Sequence, residues 1–418
     1  MDASFNTVIW ENESIIYEVN IRQYTPEGTF NAFQKHLPRL KEMGVTLLWL
    51  MPITPISEKL KKGTLGSYYA CSSYTKINPA FGNESDFLEL VNSAHDLGMK
   101  VIIDWVANHT GAKHEWMDKN PEWFSRDAQG NFTERNGWED VVDLNYENQP
   151  MRDALIASMQ YWVRHFNIDG FRCDMAHLVP LDFWKAARAA CDNIKTLFWL
   201  AECEEVGYHQ VFDVSYAWAW MHAIEKTRHD LSGLNDVFNI LHAYDQYPAG
   251  ALKLFFTSNH DENSWNGTEY EKFGETAKAW AVFTYTWKGV PLIYSGQEIP
   301  NHKRLQFFDK DCIEWNGKPA LHDFYKTLAT CRQQYPAILH GANYILPCDT
   351  NGVMAYLRYD STNVVLVLLN ISTDIQKIAC SHDLIKGTFT NIFSGLQFSF
   401  DREEAFELMP GDYLVYVK

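Results

Sequence analysis

The stretch "PMRDALIASMQYWVRHFNIDGFRCDMAHLVP" spans residues 150–180 and decides the fold. Its first half is amphipathic. Pro150 suits a first helical turn, and Ala154, Leu155, Met159, Trp162 and Phe166 fall on one face. Its second half, "IDGFRCD", is a short apolar run and reads as a buried strand. A helix feeding a strand is the rhythm of a parallel sheet or barrel. Arg172 and Asp174 sit at the end of that strand, with only Cys173 between them, so their side chains share one face.

The same rhythm extends both ways. Towards the N-terminus, "SIIYEVNI", "LLWLMP" (47–52) and "KVIIDWV" (100–106) read as strands. Between the first two, Phe30, Phe33, Leu37, Leu40 and Met43 make a helical stripe, and Pro38 either kinks that helix or starts its second half. Before the third, Phe87, Leu90, Val91, Ala94 and Leu97 make another, with a polar cap at Asn83 or Ser85 and Gly98 as its stop. Towards the C-terminus, "TLFWLAE" (196–202), "VFDVSY" (211–216), "LKLFFTSN" (252–259) and "VPLIYSG" (290–296) bring the strands to eight.

Two regions break the rhythm. Residues 106–149 are polar, aromatic-rich and aperiodic, and a loop of that length is expected to be functional or an inserted domain. Beyond about residue 340 the texture becomes strands and turns, as in "GVMAYLRYD" and "NVVLVLLNIS", and predicts an all-β domain. The expected organisation is an α/β chain. A (β/α)8 barrel from 1–105 and 150–340 carries an inserted domain B over 106–149, and an antiparallel β domain follows over 341–418.

Composition narrows the function. The 418 residues carry a net charge of −17, which argues against nucleic acid and anionic membranes as partners and favours a neutral substrate. Fifteen Trp and 21 Tyr exceed what a core needs, and flat rings of this kind pack on the C–H faces of sugars. The eight Cys form no CxxC pair and read as buried reduced thiols. The N-terminal segment "MDASFNTVIWENESIIYEV" shows no basic run followed by an apolar one, and no run approaches a membrane span. A cytoplasmic location is expected if Met1 is the true start; a chain trimmed of its leader would look the same. The sequence carries no signal of oligomeric state.

In an eight-stranded parallel barrel, chemistry sits at the C-terminal strand ends. Those ends offer Asp104, then Arg172 and Asp174, then Glu202, then "NHDEN" with Asn259, His260 and Asp261. A cation beside Asp174 lowers its pKa and keeps it ionised, as a carboxylate nucleophile requires. Glu202 closes an apolar strand, where desolvation and nearby negative charge raise its pKa and suit it to hold a proton. No HxH stands at a strand end to hold a catalytic metal.

The residues resemble glycoside hydrolase family 13, the α-amylase family. "DWVANH" (104–109), "GFRCD" (170–174), "LAE" (200–202) and "NHD" (259–261) are similar to its four ordered motifs. "VDLN" (142–145), "YYACSSYTKINPAFG" and "PLIYSGQE" resemble further family segments. The resemblance implies Asp174 as nucleophile, Glu202 as general acid/base and Asp261 as transition-state stabiliser. It also implies that Arg172 holds Asp174, that His109 and His260 bind the sugar at the cleavage point, that Tyr69 stacks on it, and that Asp104 supports both Arg172 and the sugar.

The implied activity is retaining hydrolysis of α-1,4-glucosidic bonds in starch- or maltodextrin-type glucans. An α-glucosidase, a transglycosylase such as a trehalose-forming enzyme, and an inactive carbohydrate-binding protein are the alternatives. The family's Gly and Asp beside the stacking Tyr are here Tyr68 and Ala70. Its Lys-His pair after the nucleophile is here His177 and Leu178. His177 either binds the leaving side or holds a neighbour by hydrogen bonding. No organic cofactor is implied. Asn108 and Asp143 match two ligand positions of the family's structural Ca2+, and that ion is left open. Trp105, Trp138 and Trp265 are candidate sugar platforms, Trp116 and Trp123 candidate packing residues, and Glu204 and Glu205 a solvated rim.

Overall fold

Eight short parallel strands close into a barrel in chain order. They are β1 (Ile16–Val19), β2 (Leu47–Leu50), β3 (Lys100–Trp105), β4 (Gly170–Cys173), β5 (Phe198–Ala201), β6 (Val214–Tyr216), β7 (Leu252–Phe255) and β8 (Val290–Tyr294). The computed structural model describes residues 5–418; the first four residues of the segment expected to carry no leader lie outside it. Apart from the partly exposed Lys100 at the start of β3, each strand is buried because helices or loops cover the outside and side chains fill the inside, which is why each reads as a near-continuous apolar run.

Register places chemistry. Asp104 pairs with Arg172, and Arg172 with Leu200, so β3, β4 and β5 end level at one mouth. Gly170 permits this close spacing: a Cβ there would lie 2.0 Å from the Phe198 carbonyl oxygen.

The helix Gln149–Phe166 starts on an Asn148 cap, carries Pro150 in its first turn, and ends at Asn167 in the left-handed conformation. Glu84–Asp96 opens with a full capping box between Asn83 and Asp86. Pro38 starts a second helix, Leu37–Met43, after Phe30–Gln34. The expected helix after every strand fails once. Between β5 and β6 there is only a single 3-10 turn, Val206–Gln210, because "EEVGYHQ" holds too few residues and too little periodicity for a helix.

Between β3 and the helix Gln149–Phe166, a small antiparallel pair, His109–Gly111 with Val141–Asp143, ties the segment back to the mouth. Past the barrel, six antiparallel strands form one sheet and two more pair beside it. Alternation explains their packing. Met354, Tyr356, Val365 and Val367 join the barrel's core, while Val353, Ala355, Leu366 and Leu368 face a second apolar cluster. Among the described residues, no helix is long and apolar enough to cross a membrane.

Candidate active site

Asp104 lies in β3, Arg172 in β4 with Asp174 just beyond it, Glu202 directly after β5, and His260 and Asp261 at the start of the helical turn that follows β7. These groups converge. Arg172 is fully buried: its Nη1 donates to Asp104 Oδ1 at 2.9 Å and to Asp174 Oδ1 at 2.8 Å, and its Nε donates to the Tyr216 hydroxyl at 3.2 Å. Nη2 lies 2.7 Å from Glu202 Oε2, a charge contact outside hydrogen-bond alignment. One guanidinium therefore spans Asp174 and Glu202.

Backbone fixes the same pair. Met175 has φ +41°, in the left-handed region that costs a residue with a Cβ. That turn aims the Met175 N–H at Glu202 Oε2 at 2.9 Å.

Asp104 Oδ2 accepts from Trp49 Nε1 at 3.2 Å and from the Tyr69 hydroxyl at 3.1 Å. His260 links the other side, with Nδ1 2.5 Å from Glu18 Oε1 and Nε2 2.8 Å from the Tyr69 hydroxyl and 3.3 Å from Asp261 Oδ2. The Tyr69 ring stacks on His260 with centroids 5.4 Å apart.

Electrostatics corrects one expectation. Asp174 is not held below the usual carboxylate range. Burial pushes it upward, and Arg172 offsets this only in part, because its single charge also serves Asp104 and Glu202. Asp104 rises for the same reason. Glu202 moves as its apolar strand implies. Burial pushes it to about 7; Arg172 pulls against this, and Asp174 and Asp261 add to it.

The two histidines diverge. Burial pulls His109 down to about 4, so it is neutral. Burial also pulls on His260, but Asp261 and Glu18 outweigh it and hold the ring at about 9.

Two open compartments meet at these groups. The narrower, about 410 Å³, is lined by Tyr69, His109, Trp138 and Asp174 and walled by Trp265 and Phe307. The wider, about 740 Å³, is lined by His177, Glu204, Trp218 and His222. Met175, Glu202 and Asp261 line both.

A profile of the α-amylase catalytic domain matches residues 4–129 and 119–320. The chain belongs to the α-amylase family, glycoside hydrolase family 13. Over its length it is similar to the maltogenic α-amylase AmyB of Thermotoga neapolitana, at 32% identity, covering 97% of this chain and 98% of that one, with a TM-score of 0.89. An α-amylase structure from Lactobacillus plantarum is 28% identical over 97% of this chain and 99% of its own, with a TM-score of 0.87. The α-amylase MalA of Haloarcula japonica is 26% identical over 92% of this chain, which spans only 60% of that protein's length.

Within this family's barrel, several expectations shift. Trp105 is no platform; it is 2% exposed and packs on Phe171 and Tyr74, because a residue inside β3 faces the core. Trp138 and Trp265 do line the narrow compartment, and Trp116 packs on Trp123. The exposed His177 stands at the rim of the wide compartment. Glu204 is no simple rim residue, since Ala219 N and the Tyr244 hydroxyl donate to it.

Sequence reasoning missed Lys62, Asp140, Phe307, Phe308, Trp218 and His222 as lining residues. Only Asp140 carried a signal, two residues before "VDLN".

Among the described residues, no group of three or more His, Cys, Asp or Glu side chains is gathered to hold a metal ion. The buried Asp143 accepts at Oδ2 from Arg135 Nε at 2.9 Å and from Thr133 Oγ1 at 3.2 Å, while its Oδ1 is buried without a hydrogen-bond partner among those residues. Asn108 Nδ2 is turned to His109 Nδ1 at 3.1 Å. A Ca2+ ion takes six to eight oxygens, so these two residues would supply only part of such a site.

Proposed function

We propose that the protein is a retaining glycoside hydrolase acting on α-1,4-glucosidic bonds of starch- or maltodextrin-type glucans. The observation that carries this reading is the single Arg172 guanidinium spanning Asp174 and Glu202 at the junction of two compartments. The nucleophile must touch the anomeric carbon, so the Asp174 compartment takes the glycone. The wide compartment then takes the leaving chain.

Glu202, at about 7, holds a proton near neutrality and donates it to the glycosidic oxygen while Asp174 attacks the anomeric carbon. The C–O bond to the leaving chain breaks as the Asp174–sugar ester forms. Glu202, now ionised, takes a proton from water, which releases the sugar with its configuration retained. This chemistry sets the two carboxyl groups roughly 5–5.5 Å apart. Asp261 and the cationic His260 bind ring hydroxyls, the neutral His109 contacts the same ring, and Tyr69 stacks on it. Arg172 and Asp104 hold the carboxylates from beneath. The exposed His177 contacts the leaving chain. No step uses calcium. Six buried and two half-buried unpaired cysteines support a cytoplasmic location.

Maltoheptaose in 18O-labelled water tests the reading. Label in short maltodextrins is expected. Glucose alone would favour an α-glucosidase, longer chains or trehalose a transglycosylase, and no turnover a binding protein.

A further inference from the structure

We infer that Asp140 and Lys62 form a hydroxyl clamp for a second glucosyl unit, the one that precedes the cleaved ring on the glycone side. The inference rests on the α-glucan reading above and adds two binding residues to it.

Asp140 is 5% exposed, lines the narrow compartment, and has at Oδ2 no hydrogen-bond partner in the protein. That oxygen is closed to solvent, so a ligand meets the residue through Oδ1, to which no group among the described residues donates a hydrogen bond. Lys62 reaches the same compartment from the loop after β2. Its Nζ lies 3.7 Å from Asp140 Oδ1 and 4.0 Å from Glu139 Oε2, beyond hydrogen-bonding distance of both.

The pair is therefore close in charge but not closed by hydrogen bonds. A sugar hydroxyl fits that gap, because it accepts from an ammonium and donates to a carboxylate at once. A metal ion does not fit, since the Lys62 cation stands in its place.

The frame around the gap is fixed. Ala112 N donates to Asp140 O at 3.0 Å, which pins the insertion strand. Thr64, two residues past Lys62, donates from N and Oγ1 to Asp309 Oδ1 at 2.8 and 2.6 Å, which pins the loop. The Trp138 ring, its centroid 5.2 Å from that of His109, lines the same compartment, and we assign it as the face on which the second ring packs. Aromatic face, anion and cation together match a neutral polyhydroxyl ring.

The test compares Asp140→Asn with the parent on 4-nitrophenyl α-maltoside, which has two glycone rings, and on 4-nitrophenyl α-glucoside, which has one. The expected result is a fall in kcat/KM of about ten-fold or more on the maltoside, with the glucoside unchanged within about two-fold. Lys62→Met should show the same split, more weakly. Equal losses on both substrates, or none on either, would overturn the clamp. A parent inactive on both would instead count against the hydrolase reading. Calorimetry with maltose then decides the clamp: binding at least about five-fold weaker in Asp140→Asn supports it, and unchanged binding overturns it.

Discussion

The two sides of the cleft are built differently. The narrow side presents buried polar groups, the neutral His109 and the half-satisfied Asp140 among them, between aromatic walls. The wide side presents exposed His177, His222 and Glu205, and its carboxylates Glu204 and the buried Glu262 already have partners within the protein. Buried groups waiting for partners discriminate strongly, whereas exposed groups already hydrated discriminate little. The contrast teaches that selectivity for the transferred sugar lies on the Asp174 side, and that the leaving chain is met by a permissive surface.

The largest effect is expected at the border the two sides share. Asp174→Asn and Glu202→Gln should each lower kcat by roughly three to four orders of magnitude while circular dichroism stays unchanged. Near-normal turnover in either would dissolve the border. Next in size comes the asymmetry itself. Tyr69→Ala removes a ring that stacks on His260 and bonds Asp104, and kcat/KM on maltoheptaose should fall about 100-fold. His222→Ala, on the wide side, should change it by no more than about three-fold. Comparable losses in the two variants would erase the contrast.

The smallest expected effect is in pH. Glu202 must be protonated and its pKa is raised, so activity should fall as pH rises through about 7. Asp174 must be ionised, so the acid limb should lie above the ordinary carboxylate value of about 3.9. Asp261 raises Glu202, so Asp261→Asn should move the alkaline limb of the residual activity down by a fraction of a pH unit. A limb that stays put would remove Asp261 from the coupling.

Much of this was legible in the sequence. All eight strands were, because parallel strands buried on both sides are written as continuous apolar runs, and the polar residues at their ends stand out against them. The convergence of Asp104, Arg172, Asp174, Glu202 and Asp261 followed from strand order alone. What was not legible depends on three-dimensional context. The upward push on Asp174 arises from desolvation, whereas the sequence shows only its neighbour Arg172. Trp105 looks like a surface platform until register turns it inward. Lys62, Asp140, Phe307 and Phe308 come from aperiodic loops, and no spacing announces that three separate segments meet over one cavity.

The most direct test of the central claim is the anomeric configuration of the first product, followed by proton NMR during early hydrolysis of maltoheptaose. Attack by Asp174 followed by water assisted by Glu202 inverts the anomeric carbon twice, so the α-anomer should appear first and mutarotate to β. A product that appears first as the β-anomer would mean single displacement and would contradict Asp174 as nucleophile.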